Sequence, residues 1–342
     1  MFVASSRAGF RGLYRGRSMY LCVVLLALVV ARLLTEPGAY QWRYWSQRGF
    51  FSGSAGTSQH TGGSSGYSYK YAVAYQAKDR SDGVYAGLSK LDSPTGEDNY
   101  FVGARSEHDV FAGVADGVGG WVDLGFDSSA ISRELCGSML DMSTAQSKSL
   151  SPKQLIDAAY RKIKNDGSVQ VGGTTAIVAH FPPNGTLKIA NLGDSWCGVF
   201  RNNKLVFQTK FQTVGFNAPY QLAIIPEQLV REAAKKGSSY IQNSPSDADE
   251  YQFQLKKNDV IMLATDGVTD NIATGDMELF LSNSASGEDL QHISQKFVNQ
   301  VVQLSKDTNF PSVFSQEMSR LTGKRYLGGK EDDITVVVVK VE

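Results

Sequence analysis

The sequence predicts an α+β fold in which antiparallel β-sheets carry helices on their outer faces. Two observations lead there. Strand-like runs rich in β-branched and aromatic residues come in groups and do not alternate strictly with helices. Between the groups lie segments whose apolar residues recur at helical spacing. Residues 67 to 342 contain no second linker, so they form one domain.

The N-terminus is a different material. Residues 1 to 35 hold no Asp or Glu, and Arg7, Arg11 and Arg15 fall on one face of a helix. Arg-rich, Ser-containing and acid-free is the composition of a mitochondrial targeting peptide, so residues 1–50 are assigned as a targeting segment. Within it, residues 19–34 are strongly apolar. As a helix they span roughly 24 Å, short of the roughly 30 Å hydrocarbon core, and the stretch is expected to be a membrane anchor with Arg32 snorkelling. Arg48-Gly49-Phe50-Phe51-Ser52 resembles the arginine-minus-three site of the mitochondrial processing peptidase. Residues 51–66 are a Gly/Ser-rich linker, with too little apolar surface to order itself.

Strands are expected at Tyr69–Ala77, Tyr100–Ala104, Val110–Val114, Thr174–Phe181, Thr186–Asn191, Trp196–Phe200, Lys204–Gln208, Val260–Thr265 and Ile334–Val341. Asn202-Asn203 reads as the turn of a hairpin. Helices are expected at Ser129–Met142, Lys153–Lys164 (Pro152 in its first turn), Pro226–Lys236, Glu288–Ser305 and Ser312–Leu321.

Composition narrows the function. Lys and Arg number 34, as do Asp and Glu, so no overall field favours nucleic acid or an anionic membrane. Three cysteines do not make a disulfide framework, and four scattered histidines make a His-rich zinc centre improbable. What stands out is a carboxylate at each of three strand ends. Phe111–Gly120 runs from an apolar strand into Asp116-Gly117 and a glycine-rich turn. Ile261–Gly267 repeats the pattern with Asp266-Gly267, and Asp332-Asp333 precedes Ile334–Val339. Asp-Gly is also a common turn dipeptide. Three such termini beside apolar runs point to a carboxylate-built site for a hard divalent cation.

Six motifs in order resemble the metal-dependent PPM, or type 2C, protein serine/threonine phosphatases: Glu97-Asp98, Phe111–Gly120, Gly172–Ala176, Asn191–Ser195, Thr265–Gly267 and Asp332–Thr335. The segments Asn191–Pro219 and Lys330–Asp333 are most similar to the mitochondrial branch, which the notion of a target in ubiquinone synthesis accompanies. The resemblance implies a β-sandwich of two antiparallel sheets flanked by helices, in α-β-β-α layers. It also implies hydrolysis of phosphoserine and phosphothreonine on mitochondrial phosphoproteins, with Mn²⁺ or Mg²⁺ as cofactor, two ions per domain and room for a third. Asp116 would bridge the ions, the Gly117 carbonyl would bind one, and Asp266 and Asp332, with Asp333 as the alternative, would complete the other. Glu97 and Asp98 would act through water, and Asp194 would hold an extra metal or position water. No side chain would be the nucleophile, since a water bridging the metals would attack phosphorus.

Two positions depart from the family pattern. Val118 stands where many relatives carry a His that protonates the leaving group, and Ser93 where many carry a phosphate-binding Arg. Lys78, Arg80 and Arg105 are candidate substitutes for the latter. The departures motivate a second reading, a pseudophosphatase that binds partners without turnover, and a third, a phosphatase of small esters. Location carries an alternative as well: the basic, apolar N-terminus also suits an endoplasmic reticulum or nuclear envelope membrane.

Overall fold

The computed structural model describes residues 66–80, 93–145, 150–284 and 287–342. The targeting segment, its apolar stretch 19–34 and nearly all of the linker lie outside the described residues. Among the described residues no helix is long and apolar enough to cross a membrane.

Two five-stranded antiparallel sheets pack face to face. One has the order β1-β14-β13-β7-β8, from strands β1 (Tyr69–Gln76), β7 (Trp196–Arg201), β8 (Lys204–Gln208), β13 (Val260–Ala264) and β14 (Ile334–Val341). The other has the order β12-β6-β5-β3-β2, from β2 (Asp98–Ser106), β3 (Asp109–Asp116), β5 (Ala176–Phe181), β6 (Thr186–Leu192) and β12 (Asp249–Gln254). Helices α1 (Ser129–Thr144) and α2 (Pro152–Asp166) cover the outer face of the second sheet. Helices α5 (Thr274–Asn283) and α6 (Leu290–Lys306) cover the outer face of the first.

The central strands are apolar on both faces because both are buried. Val337 and Val339 of β14, with Ile261 and Leu263 of β13, point between the sheets, where they meet Val110, Ala112 and Val114 of β3. The alternate residues Val336, Val338, Met262 and Ala264 face Phe297, Val298 and Val301 of α6. On the opposite side, Phe111 of β3 faces Ile131, Leu135 and Met139 of α1 and Leu155, Ile156 and Ile163 of α2. Each sheet thus has one core inside and one outside, which produces the four layers α-β-β-α.

The hairpin expected between β7 and β8 is there, with Asn202 and Asn203 at φ 52° and 59°, as a two-residue primed turn requires. Helix α2 starts on a capping box in which Ser151 and Gln154 satisfy each other's backbone N–H groups, and it ends at Gly167 in the left-handed region.

Several elements differ from expectation. Thr174–Phe181 is two strands: β4 (Gly172–Thr174) breaks at Thr175 and pairs with β11 (Leu222–Ile224) instead of continuing into β5. Strand β12 carries only Tyr251 and Phe253 as large apolar residues. It sits at a sheet edge with one face in solvent, so its apolar signal is weak. A short hairpin, β9 (Thr213–Gly215) and β10 (Ala218–Pro219), lies outside both large sheets. Helix α5, which was not expected, fully buries only Met277, whereas α3 (Glu227–Lys235) lies where a helix was expected and buries only Ala233.

Phe111 is fully buried, stacked on His180 with ring centroids 3.9 Å apart, and stands on the strand that ends in Asp116. Phe111→Ala is expected to cost about 3–5 kcal/mol, read as a drop in the urea midpoint at unchanged slope.

Candidate metal centre

The predicted acids collect at one end of the sandwich because strand pairing brings the strand ends there. In the β2–β3 ladder Asp98 lies directly opposite Asp116. Pairing of β13 with β14 sets Thr265 beside Thr335: Thr265 N donates to Thr335 O at 3.1 Å, and Thr335 N donates to Thr265 Oγ1 at 3.1 Å. The Thr265 hydroxyl in turn donates to Asp98 Oδ2 at 2.8 Å, which ties the end of one sheet to the other. Asp266 then opens the short helix α4 (Asp266–Thr269).

The neighbouring motifs are the supports of this arrangement. Asp116 N donates to Thr175 Oγ1 at 3.0 Å, while Asp116 O accepts from Thr175 N and from Thr174 Oγ1, both at 2.9 Å. The Thr175 hydroxyl also meets Ser195 Oγ at 2.8 Å, linking Gly172–Ala176 to the turn that carries Asp194. Gly193 in that turn has φ 107°, and a Cβ there would stand 2.8 Å from Thr175 Cβ. Gly267 packs so closely on the Asp333 carbonyl that a Cβ would fall 2.0 Å from its oxygen.

The acids are not equivalent. Asp333 is 2% exposed and accepts from Lys78 N at 2.9 Å, Glu97 N at 2.8 Å, Arg80 Nη1 at 2.8 Å and Arg80 Nη2. Glu97 accepts from Ser128 Oγ, from Arg80 Nη2 at 2.9 Å and from Lys78 Nζ at 2.8 Å. Glu97, Asp332 and Asp333 each offer an oxygen within 4.8 Å of the others, and the Arg80 guanidinium and the Lys78 ammonium between them pair with all three. Asp333 is therefore committed to Arg80 and to two backbone N–H groups, whereas Asp332 pairs with Lys78 and Lys330. Asp332 Oδ1 accepts from Lys78 Nζ at 3.0 Å.

Asp116, Asp98, Asp194, Asp266 and Asp332 form the other group. Burial lifts the Asp116 carboxyl well above the usual range, and Asp266, Asp98, Asp332 and Asp194 raise it further. Asp98 is lifted in the same direction by burial and then by Asp333. Burial, helped by Asp266, pushes Asp194 up to about 8. Asp270, one helical turn after Asp266, is pushed up to about 7 by burial against the pull of Lys330. Asp332 goes the other way: burial would raise it, but the Lys78 and Lys330 ammoniums hold it below the usual carboxylate range. Among the described residues, Asp98 Oδ1 and Asp194 Oδ1 are buried without a hydrogen-bond partner.

Together these features describe a pocket of oxygen donors short of positive charge. Orphaned buried carboxylate oxygens and mutually raised acids fit a hard divalent cation, and nothing soft stands among the donors. The three candidate phosphate binders separate. Lys78 and Arg80 reach the centre and hold Glu97, Asp332 and Asp333 there. Arg105 instead donates from Nε to Ser143 O at 2.7 Å and lies over the Phe111 ring, away from these acids. Ser93 meets Thr95 Oγ1 at 2.8 Å. Val118 N donates to Gly173 O at 2.8 Å, and its side chain carries no proton to transfer. Lys330 and Asp270 are members of the site that sequence reading assigned no role. The one signal for Asp270 was its spacing of four from Asp266.

Because Asp194 and Asp270 have folded values raised toward 8 and 7 from a carboxyl's 3.8, the folded protein binds more protons than the unfolded chain above pH 4. Their contribution is complete at low pH and is lost as pH rises through 7 to 8. The metal-free protein is therefore expected to melt at a lower temperature at pH 8.5 than at pH 6 in chelator, and Asp194→Asn is expected to flatten that slope, as calorimetry in both buffers would show.

Known proteins share this fold. The family profile described as Stage II sporulation protein E (SpoIIE) matches residues 106–342. The chain is 64% identical over 299 residues to protein phosphatase 2C homolog 7, mitochondrial, of Saccharomyces cerevisiae (strain ATCC 204508 / S288c), covering 84% of this chain and 87% of that one. It is 33% identical over 258 residues to protein phosphatase PTC7 homolog fig of Drosophila virilis, covering 73% and 80%. Among solved structures, the photosystem II phosphatase PBCP superposes with a TM-score of 0.65 at 26% identity, over 80% of this chain and 99% of that one. The chain belongs to the PPM family of protein serine/threonine phosphatases, which includes the SpoIIE and type 2C enzymes and uses divalent metals.

Proposed function

We propose that this phosphatase holds two divalent ions, Mn²⁺ or Mg²⁺, through Asp116, the Gly117 carbonyl, Asp266 and Asp332, with Glu97 and Asp98 acting through water and Asp194 placed for a third ion. The observation that carries the assignment is the half-buried Asp116 carboxyl at the end of β3, directly opposite Asp98 and in the field of Asp266, Asp332 and Asp194. Bound dications supply positive charge for the phosphate and acidify water at the site.

The chain's own residues do the rest. Thr174 and Thr175 fix the Asp116 backbone, and Thr265 aims Asp98. Arg80 and Lys78 keep Glu97 and Asp333 in place, so the loop after β1 is locked to the segment before β14. Val118 leaves the leaving-group proton to a source other than position 118.

The chain is a mitochondrial serine/threonine protein phosphatase, as its 64% identity to the yeast mitochondrial enzyme indicates. The binding-only reading has no support in these relatives, which are named as phosphatases. Its substrates are phosphoproteins. We propose further that residues 1–50 direct import, that 19–34 anchor the protein to a membrane, and that the Gly/Ser tether 51–66 lets the domain reach its substrates.

Phosphate release from a phosphothreonine peptide by the full-length protein is expected to require Mn²⁺ or Mg²⁺. Asp266→Asn is expected to lower kcat/KM by roughly 10³-fold, with melting temperature in chelator no lower than wild type. An Asp266→Asn protein that kept wild-type metal-dependent turnover would overturn the ligand assignment. For the N-terminal reading, the protein in isolated mitochondria is expected to stay in the membrane pellet on alkaline carbonate extraction, and deletion of residues 19–34 is expected to release it. Release of the wild-type protein into the soluble fraction would refute the anchor.

A further inference from the structure

The feature of this centre that the reading above leaves unused is Lys330. Its ammonium, 17% exposed, donates to Asp266 Oδ2 at 2.7 Å, to Asp270 Oδ2 and to Asn217 Oδ1 at 3.1 Å, and lies 3.3 Å from Asp332 Oδ2. The placement is built. The Asn271 side chain accepts from Lys330 N at 2.8 Å and donates to Lys330 O at 2.8 Å, and the same amide donates to Gly267 O at 2.8 Å. The lysine backbone is thereby clamped to the turn that carries Asp266. The ammonium also faces the Phe314 ring at 5.5 Å, and Phe314 of α7 (Val313–Thr322) packs on Phe216 of the β9–β10 hairpin, centroids 4.9 Å apart.

Two partners of this ammonium, Asp266 and Asp332, are the carboxylates assigned above to metal. A fixed positive charge within hydrogen-bond distance of both offsets part of their charge when no ion is present and repels a dication that arrives. Asp270 is a third partner outside that ligand set, so the ammonium keeps an acid when it yields the other two. We propose that Lys330 is a positioning residue that serves as an internal counter-cation, holding Asp266 and Asp332 in the metal-free protein and competing with the metal for them. It thereby sets the metal affinity of the centre and, through Asn217, ties the hairpin β9–β10 to that site. Lys330 stays protonated throughout, and no bond is made or broken. The inference rests on the metal assignment of the preceding subsection.

The test is Mn²⁺ titration calorimetry of the full-length protein, paired with melting in chelator and in Mn²⁺. Lys330→Met is expected to bind Mn²⁺ about tenfold tighter or more, to melt lower than wild type in chelator, and to gain more in melting temperature when Mn²⁺ is added. Lys330→Arg, which keeps the charge, is expected to bind like wild type. If Lys330→Met does not fold without metal, Lys330→Gln is measured in the same way, since it removes the charge and keeps an amide donor for Asn217. Affinity equal to or weaker than wild type in the neutral variants, while Asp266→Asn still abolishes binding, would show that Lys330 is scaffold and overturn the inference. Wild-type binding by Asp266→Asn would overturn the metal assignment itself, and this inference with it.

Discussion

The constraint on which the structure depends is the repulsion among buried carboxylates at one end of the sandwich. Asp98, Asp116 and Asp194 are withdrawn from water and placed in the field of neighbouring acids, which is unfavourable for each of the three as an anion. The arrangement persists because the strands that deliver the acids are among the most deeply buried in the molecule. Strands β3, β13 and β14 bury apolar residues on both faces, and their stability holds the acids together. Such local unfavourable energy, sustained by surrounding packing, is what a preorganised binding site consists of.

Around that core of acids the protein distributes cations unevenly. Lys78 and Arg80 are committed to Glu97, Asp332 and Asp333, at the junction of β1 with the segment before β14. Lys330 stands on the other flank, between Asp266, Asp270 and Asp332. Asp116 lies between the two flanks, in a field dominated by acids. The same residue type is therefore used in two ways: paired with Arg80, Asp333 is a structural clasp, and Asp116, set among other acids, is the carboxyl proposed above to hold metal.

Much of the fold was legible because its central strands are buried on both faces and so read as continuous apolar runs, as Ile334–Val341 does in full. The Asn202-Asn203 turn was legible from backbone chemistry alone. Elements that carry little apolar surface were not. Strand β12 shows only Tyr251 and Phe253 to the interior, α5 fully buries only Met277, and the break at Thr175 has no signal because Gly172–Phe181 is buried throughout. In the site, the acids were visible as strand-end motifs. Arg80 and Lys78 were visible only as nearby charges, and Lys330 only as part of a motif.

The sequence by itself determined the central strands and the order of the six motifs, because those depend on residue types at short spacing. Only the tertiary structure decided how two adjacent acids are partnered. Asp332 and Asp333 are adjacent and chemically identical, and they part because Arg80, Lys78 N and Glu97 N, from distant parts of the chain, converge on Asp333 alone. The same holds for Lys330, whose partners at 217, 266 and 270 come together only when the hairpin, α4 and the entry to β14 pack. Charge partnership is set by distance in space, and only the folded chain sets that distance.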